Sequence, residues 1–396
     1  MQSVEAARAR ILAALAATPP ETVALAEAAG RVLARPVAAR LTQPPAAVSA
    51  MDGYALRAAD AALGARLRVV GEAPAGHPFA GQIGPGEAVR IFTGAFIPEG
   101  ADSILLQEDA AAEAGTVLVR EAVTQGRWVR PAGLDFATGE HLLAAGRKLT
   151  ARDIGLAAAA NHPWLTVHRR PRIGILATGD EIALPGDPLP MGGIVSSNAH
   201  ALAAMLRAAG AEAVILPIAP DDADAIATLA QGARGCDMLV TTGGASVGEH
   251  DLVQKALVPG GFALDFWKIA MRPGKPLIWG RLGETPMLGL PGNPVSALVC
   301  AVVFLLPAVA VMAGLPAAPT PSEAALAGAD LAANDQREDY LRCTLDGEVA
   351  TPFSRQDSSM LKTLARADAL LIRAPHAAAL PAGSPVRIIR LSALGV

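Results

Sequence analysis

The spacing of apolar residues changes along the chain, and each change predicts a different class of element. Val4, Ile11, Leu12 and Leu15 share one face of a 3.6-residue period, which predicts a helix over Ser3–Ala17. A second helix is predicted over Glu21–Ala34, with Pro19-Pro20 as the breaker between the two and Pro44-Pro45 closing the unit. From Ser49 to Arg130 the texture shortens to Val, Ile and Leu runs punctuated by Gly and Pro: Leu67–Val70, Ala88–Phe92, Ser103–Gln107 and Thr116–Val119. That pattern predicts an all-β module. Helical spacing returns over Thr150–Ala160, so the β module is inserted into a helical one.

Beyond Pro171 the order becomes strand Ile173–Ala177, helix Ala199–Ala209, strand Glu212–Pro217, helix Asp222–Ala233 and strand Met238–Val240. A βαβαβ order predicts a parallel sheet with right-handed crossovers. Asn198 is placed to cap the first of these helices, Gly210 to end it, and Asp221 or Asp222 to cap the second. A further apolar strand runs over Pro286–Leu290. Val295–Leu315 carries no charge and is long enough to span a bilayer. Pro307 interrupts it, no basic cluster flanks it, and Asn293-Pro294 is a helix start, so it reads as a helix buried on the sheet or at a subunit contact. Pro316–Pro321 is a stiff joint, and the last module ends in strand-like Val386–Leu391. The expected fold is multidomain, α/β plus β. A helical linker domain spans 1–45 and 131–170, the inserted β module 46–130, a central parallel α/β sheet domain 171–315, and a C-terminal β-barrel-like domain 316–396.

Composition narrows the class. At 52% hydrophobic and 18% charged, with 39 Gly and 31 Pro, the chain is globular and rich in turns. A net charge of −4 leaves no basic footprint for nucleic acid. The one dense basic run, His168-Arg169-Arg170-Pro171-Arg172, reads as a solvated linker before a strand. Cys236, Cys300 and Cys343 are odd in number and far apart, so neither a disulfide framework nor a CxxC metal site is suggested, and a reducing cytoplasm fits. Arg8 and Arg10 before Ile11–Ala17 loosely match a secretory signal, but the amphipathic helix with Glu5 explains the segment better. Neither a membrane nor a nucleic acid is expected as a partner.

Chemistry concentrates where the strands stop. Ile173–Ala177 runs into Thr178-Gly179-Asp180-Glu181, Met238–Val240 into Thr241–Asp251, and Pro286–Leu290 into Pro291–Ser296. In an open parallel sheet such loops share one edge, where ligands bind. Thr241–Asp251 holds Gly243, Gly244, Gly248 and Ser246, backbone and hydroxyl donors that suit a phosphate, although a structural turn accounts for such glycines equally well. It matches neither GxxxxGK[ST] nor GxGxxG. Lys268, Arg272 and Lys275 suit a polyanion, or form the wet face of a strand. Asp180, Glu181 and Asp251 are hard oxygen donors of the kind Mg²⁺ takes; Asp221 is a weaker addition, since a helix cap explains it. Pro291-Gly292-Asn293-Pro294 fixes a backbone shape before a helix start that could hold an anion. Asp52-Gly53 and Thr93-Gly94 in the β module are turn-like, and a plain hairpin explains them as well. The seven histidines form no HExxH and no Ser-His-Asp pattern.

Taken together, Ser49–Ala55 (SAMDGYA), Ile91–Asp102 (IFTGAFIPEGAD), Ala177–Ile182 (ATGDEI), Thr241–Asp251 (TTGGASVGEHD), Met271–Pro276 (MRPGKP) and Gly289–Ala297 (GLPGNPVSA) closely resemble the molybdopterin molybdenumtransferase family. The resemblance covers essentially the whole chain, and six motifs in the family's order are highly specific. It implies a central domain of the molybdopterin-binding type and a Mg²⁺-dependent transferase. Its substrates would be adenylylated molybdopterin and molybdate, its products AMP and the molybdenum cofactor. It further implies that Gly243, Gly244, Ser246 and Gly248, with Thr178, Gly179, Asp180, Pro291, Gly292, Asn293, Pro294 and Ser358, bind the molybdopterin substrate. Glu181 and Asp251, with Asp221, would organise Mg²⁺ and a water, and Lys268, Arg272 and Lys275 would neutralise pyrophosphate and molybdate. Asp52 and Thr93 match family functional positions, in an elongated homodimer whose β module faces the partner's crevice. Asp135 matches a further acidic motif.

The implied partners are a molybdopterin adenylyltransferase and molybdoenzyme apoproteins or chaperones, in the cytoplasm. Ala245, Phe96 and Ser196 depart from the family pattern without removing a proposed catalytic group, and Asp357 stands where the Gln-Gly-Ser-His turn has Gly. Two other readings stand beside this one. A dimeric molybdopterin-binding scaffold would need no chemistry, and an adenylyltransferase would share the central fold but stand alone without the β module.

Overall fold

The computed structural model describes residues 1–243 and 252–396. The Gly244, Ser246, Gly248 and Asp251 positions of the expected cradle lie outside the described residues.

At the centre is a six-stranded sheet, in the order Glu212–Ile215, Arg172–Ala177, Met238–Thr242, Thr285–Leu290, Ile278–Leu282, Phe262–Trp267. The first four strands are parallel, as the alternating pattern predicts. Ile278–Leu282 is antiparallel to both its neighbours; Gly283 and Glu284, which join it to Thr285–Leu290, can close a hairpin but cannot carry a crossover. Period-two alternation sends successive side chains to opposite faces. Ile173, Ile175, Met238 and Val240 pack with helix Asn198–Ala208 and the helical run from Pro294, while Leu176 and Leu239 pack with helices Ala223–Ala230 and Leu252–Leu257.

The apolar segment is helical from Pro294 to Met312. It is the one helix among the described residues long and apolar enough to cross a membrane, and 89% of it is buried within the protein. Helix Pro294–Cys300 passes into a π turn, Ala301–Leu305, before helix Leu306–Met312 resumes. Pro307 has no N–H and its ring would crowd the carbonyl four residues back; the wider turn, with Leu306 N–H donating to Ala301, accommodates it.

The N-terminal expectation is half corrected. Helix Val4–Ala13 forms, with the Ser3 hydroxyl accepting from Ala6 N–H. The second predicted helix is instead strand Pro20–Ala24, antiparallel to Trp164–His168, followed by a 3₁₀ turn over Leu25–Glu27. Ala content favours helix there, but β-branched Thr22 and Val23 fit the pairing and bring Val23 against the cluster of Leu33, Leu165 and Val167. The basic tract is also not a solvated linker. Arg169 pairs with Asp237 at 2.7 Å, the His168 ring bonds the Thr18 carbonyl at 2.7 Å, and Arg172 pairs with Glu212 at 3.3 Å, so the tract fastens the N-terminal segment to the central sheet.

The predicted β strands form one six-stranded sheet, ordered Ser103–Leu106, Gly53–Leu56, Glu87–Ile91, Arg66–Ala73, Thr116–Val119, Ala110–Glu113. At the C-terminus five strands, Glu323–Ala327, Glu338–Asp346, Val349–Pro352, Ala369–Arg373 and Pro385–Arg390, close into a small barrel. Met271–Arg272 adds in parallel to Glu338–Asp346, which docks the barrel beside the central sheet.

Candidate functional site

Three neighbouring parallel strands end together. The Thr178 N–H donates to the Thr242 carbonyl at 3.1 Å, so the first two loops start side by side. Gly243 follows at φ +94°, and a Cβ there would lie 2.5 Å from the Thr178 carbonyl oxygen. On the third loop, a Cβ on Gly292 would lie 3.5 Å from the Gly243 Cα. The three loops therefore come close together, and at Gly243 the approach to the Thr178 carbonyl is one only glycine permits. The buried hydroxyls of Thr178 and Thr241 have no hydrogen-bond partner among the described residues. Gly179, at φ +143°, leaves the room into which the Glu181 carboxylate folds, its Oε2 2.6 Å from where a Cβ would stand.

Asn198 does not cap its helix. Ser197 holds the cap position without a side-chain bond, and Asn198 is the first helical residue. Its Nδ2 donates to Thr242 Oγ1 at 2.8 Å and to the Gly292 carbonyl at 2.7 Å. The sequence reading missed this function, because a cap and a cross-link put the same residue type at the same place.

The acidic residues separate by environment. Asp180 Oδ1 accepts the Asp221 N–H at 2.9 Å. Asp222, not Asp221, caps the following helix, accepting from Ala225 N–H at 2.8 Å, so the helix-cap reading of Asp221 is withdrawn. The carboxylates of Glu181 and Asp221 carry no ion pair or hydrogen bond among the described residues. No group of three metal-ligating side chains occurs among those residues. One or two free carboxylates on a wet edge is nevertheless the donor set Mg²⁺ takes, the remaining positions going to water and phosphate.

Of the three cations, Arg272 is engaged elsewhere. It pairs with Asp339, which is buried, and with Asp335 at 3.3 Å, both from the barrel, so it is not free to face a ligand as the sequence reading held. The Arg337 guanidinium, then the Arg337 backbone N–H and after them the Arg272 charge, pull the Asp335 carboxyl down to about 2. Nor is Lys268–Pro276 a wet strand face: only Met271–Arg272 is extended. Lys268, at φ +72°, lays its ammonium 3.8 Å from the Trp267 ring centroid, and the Lys275 side chain is unpaired among the described residues.

Ser358 does reach the edge. Asn293 Nδ2 donates to its hydroxyl at 3.0 Å, and Val295 N–H to its carbonyl at 3.1 Å. Its turn hangs on Arg342, the largest fully buried side chain, whose N–H and Nε both donate to Gln356 Oε1, at 3.0 and 3.2 Å. Nothing in the sequence distinguishes Arg342 from an edge arginine. Asp357 serves the turn without glycine's freedom, because its Oδ1 accepts Ser359 N–H at 2.8 Å and Ser359 hydroxyl at 2.6 Å.

In the β module, Asp52 Oδ1 accepts the Thr93 hydroxyl at 2.7 Å and the Thr93 N–H at 2.8 Å. Arg90 lies over Tyr54 and Phe92, 5.2 and 5.0 Å from their ring centroids, and bonds the Gly53 carbonyl at 3.0 Å. The Thr93 donors, hydroxyl first, hold the Asp52 carboxyl below the usual carboxylate range. Those bonds favour the ionised loop above the ordinary carboxylate pKa, and they are lost as pH falls through the depressed value. Thr93→Val is expected to move the Asp52 titration upward, read by carboxyl-carbon NMR; an unmoved titration would refute the assignment. Asp135 is exposed, its N–H bonded to the Gln43 carbonyl at 3.0 Å, and the geometry gives its side chain no task.

Comparison with known proteins places this geometry. Residues 2–161 match a model described as the MoeA N-terminal region (domain I and II), 174–311 one described as a probable molybdopterin binding domain, and 324–391 the MoeA C-terminal region (domain IV). The chain is 38% identical over 385 residues to molybdopterin molybdenumtransferase 2 of Mycobacterium tuberculosis, covering 94% of this chain and 95% of the relative. To the molybdopterin molybdenumtransferase of a Nostoc species it is 35% identical, covering 94% and 88%. The crystal structure of a molybdopterin biosynthesis moeA protein from Pyrococcus horikoshii superposes with a TM-score of 0.85 at 26% identity, covering 98% and 99% of the two chains.

Proposed function

Because the chain belongs to the molybdopterin molybdenumtransferase family, we propose that it inserts molybdate into adenylylated molybdopterin with Mg²⁺, releasing AMP and the molybdenum cofactor. The observation that carries this reading is the close approach of the Gly243 and Gly292 positions beside the carboxylates of Glu181 and Asp221, which are unpaired among the described residues. N–H groups of closely approached glycine loops bind phosphoryl oxygens, and free carboxylates on the same edge hold a hard cation. Similarity running through the N- and C-terminal regions speaks against a lone adenylyltransferase.

In this reading Gly243, with Gly244, Ser246 and Gly248, seats the phosphates that join molybdopterin to AMP, aided by Thr178, Gly179, Asp180 and the Pro291–Pro294 loop. Glu181 and Asp251, with Asp221 in support, would hold Mg²⁺, which supplies charge neutralisation at the phosphates. Lys268 and Lys275 attract molybdate and stabilise the departing phosphate charge. Arg272 acts at one remove: by binding Asp335 and Asp339 it holds the barrel, and with it Ser358, against the site. Asp52 and Thr93 bond to each other within their own β module, and in the homodimer the family resemblance implies they would complete the partner's site. The three free thiols suit a reducing cytoplasm. The substrate would come from the adenylyltransferase upstream, and the product would pass to molybdoenzyme apoproteins or their chaperones downstream.

Purified protein is expected to release AMP from adenylylated molybdopterin, faster with molybdate present. Consumption of ATP with free molybdopterin would establish an adenylyltransferase, and inertness towards both would establish a scaffold.

A further inference from the structure

Pairing within the sheet sets the spacing of its strands only as far as Ala177 with Thr242, and Thr242 with Leu290. Beyond those pairs the Gly243 and Gly292 backbones need another tie. Among the described residues it comes from a 3.4 Å bond of Thr242 Oγ1 to the Pro291 carbonyl and from the Asn198 side chain, which belongs to neither loop. We propose that Asn198 is a positioning residue that sets the separation of the two glycine loops, and so the width of the phosphate seat. The proposal rests on the function above for its kinetic test but not for its structural one.

A primary amide nitrogen has two hydrogens in a fixed planar fork. Both are used, one on Thr242 Oγ1 at the head of the Gly243 loop and one on the Gly292 carbonyl. Thr242 Oγ1 in turn donates to the Pro291 carbonyl at 3.4 Å, closing a ring of bonds through Asn198, Thr242, Pro291 and Gly292. The anchor is firm, because helix Asn198–Ala208 buries Ala199, Leu202, Ala203 and Leu206 in the main core. The space between the two backbones is no wider than a methyl group, since a Cβ on Gly292 would touch the Gly243 Cα at 3.5 Å, so a small drift on either side changes how N–H groups converge on a phosphate.

Asn198→Asp separates this role from a helix-end role. Aspartate in a first helical turn is favourable to the helix, yet it offers no N–H to the Gly292 carbonyl and sets a carboxylate against it. We expect Asn198→Asp and Asn198→Ala alike to lower kcat for AMP release by about 10- to 100-fold, the size of effect that misplacement of reacting groups produces. KM should change far less, and the Asp variant should keep the wild-type melting temperature. Thr242→Val should lose a similar factor, and the Asn198→Ala/Thr242→Val double variant should be no worse than the poorer single one, since both remove one coupled ring. Independently of activity, hydrogen exchange at the Gly292 and Asn293 amides should quicken in Asn198→Asp. Wild-type exchange there, wild-type kcat in that variant, or losses that multiply in the double variant would each overturn the proposal. A wild-type enzyme that released no AMP would instead refute the functional reading, with the exchange measurement still deciding this one.

Discussion

Gly243→Ala is expected to reduce AMP release by at least about 100-fold, on the scale of a displaced reacting group, while leaving the fold intact. Gly243 sits at φ +94°, where a side chain costs roughly 1–2 kcal/mol. That alone would be tolerable. The larger effect is steric: the added methyl would stand 2.5 Å from the Thr178 carbonyl oxygen, a backbone atom next to the bond that joins Thr178 to Thr242. Relief requires the Gly243 turn to swing away from both neighbouring loops, which opens the phosphate seat. Gly235 provides the control, since it has φ +81° with nothing within 4 Å of its missing Cβ. Gly235→Ala bears the conformational cost without the clash and should keep near-normal activity. Comparable activity in the two variants, with circular dichroism unchanged, would remove the glycine contact from the account of the site.

Glu181→Ala is expected to cut AMP release by roughly 10²–10⁴-fold, the range for loss of a group that organises proton transfer or a metal-bound water. The carboxylate is exposed and has no ion pair or hydrogen bond among the described residues, so its removal breaks none of their bonds and the melting temperature should hold. Full activity in this variant would sink the assignment. The same variant tests the shared site. In a two-fold dimer whose β module completes the partner's crevice, mixing Glu181→Ala with Asp52→Ala protein creates heterodimers with one intact site. Random exchange of subunits would then restore about a quarter of wild-type activity. An inactive mixture, with exchange confirmed by mass spectrometry, would mean that Asp52 acts with its own chain or not at all.

Much of the site was legible because it is built from local rules. Alternating Ile173, Ile175 and Leu176 announce a strand covered on both faces, and Thr-Gly and Pro-Gly pairs announce where such strands stop. Adjacent parallel strands then have to bring their trailing loops together, so the sequence pattern alone assigns Thr178, Gly243 and Gly292 to one place. The six ordered motifs added the family, through the resemblance of this chain to others rather than through physics.

What remained hidden depends on partners distant in the chain. Whether Arg272 faces a ligand turns on Asp335 and Asp339, more than sixty positions away, which reach it only once the barrel has closed. Whether Asn198 caps or cross-links turns on Thr242 and Gly292 arriving opposite its amide. Pro20–Ala24 became a strand because Trp164–His168 offers it a ladder that outweighs the helical leaning of its alanine-rich surroundings. Periodicity and turn chemistry are written in neighbouring residues and can be read along the chain; hydrogen-bond and ion-pair choices between side chains are made among whichever groups the folded chain places within about 3 Å, and only the tertiary structure decides those.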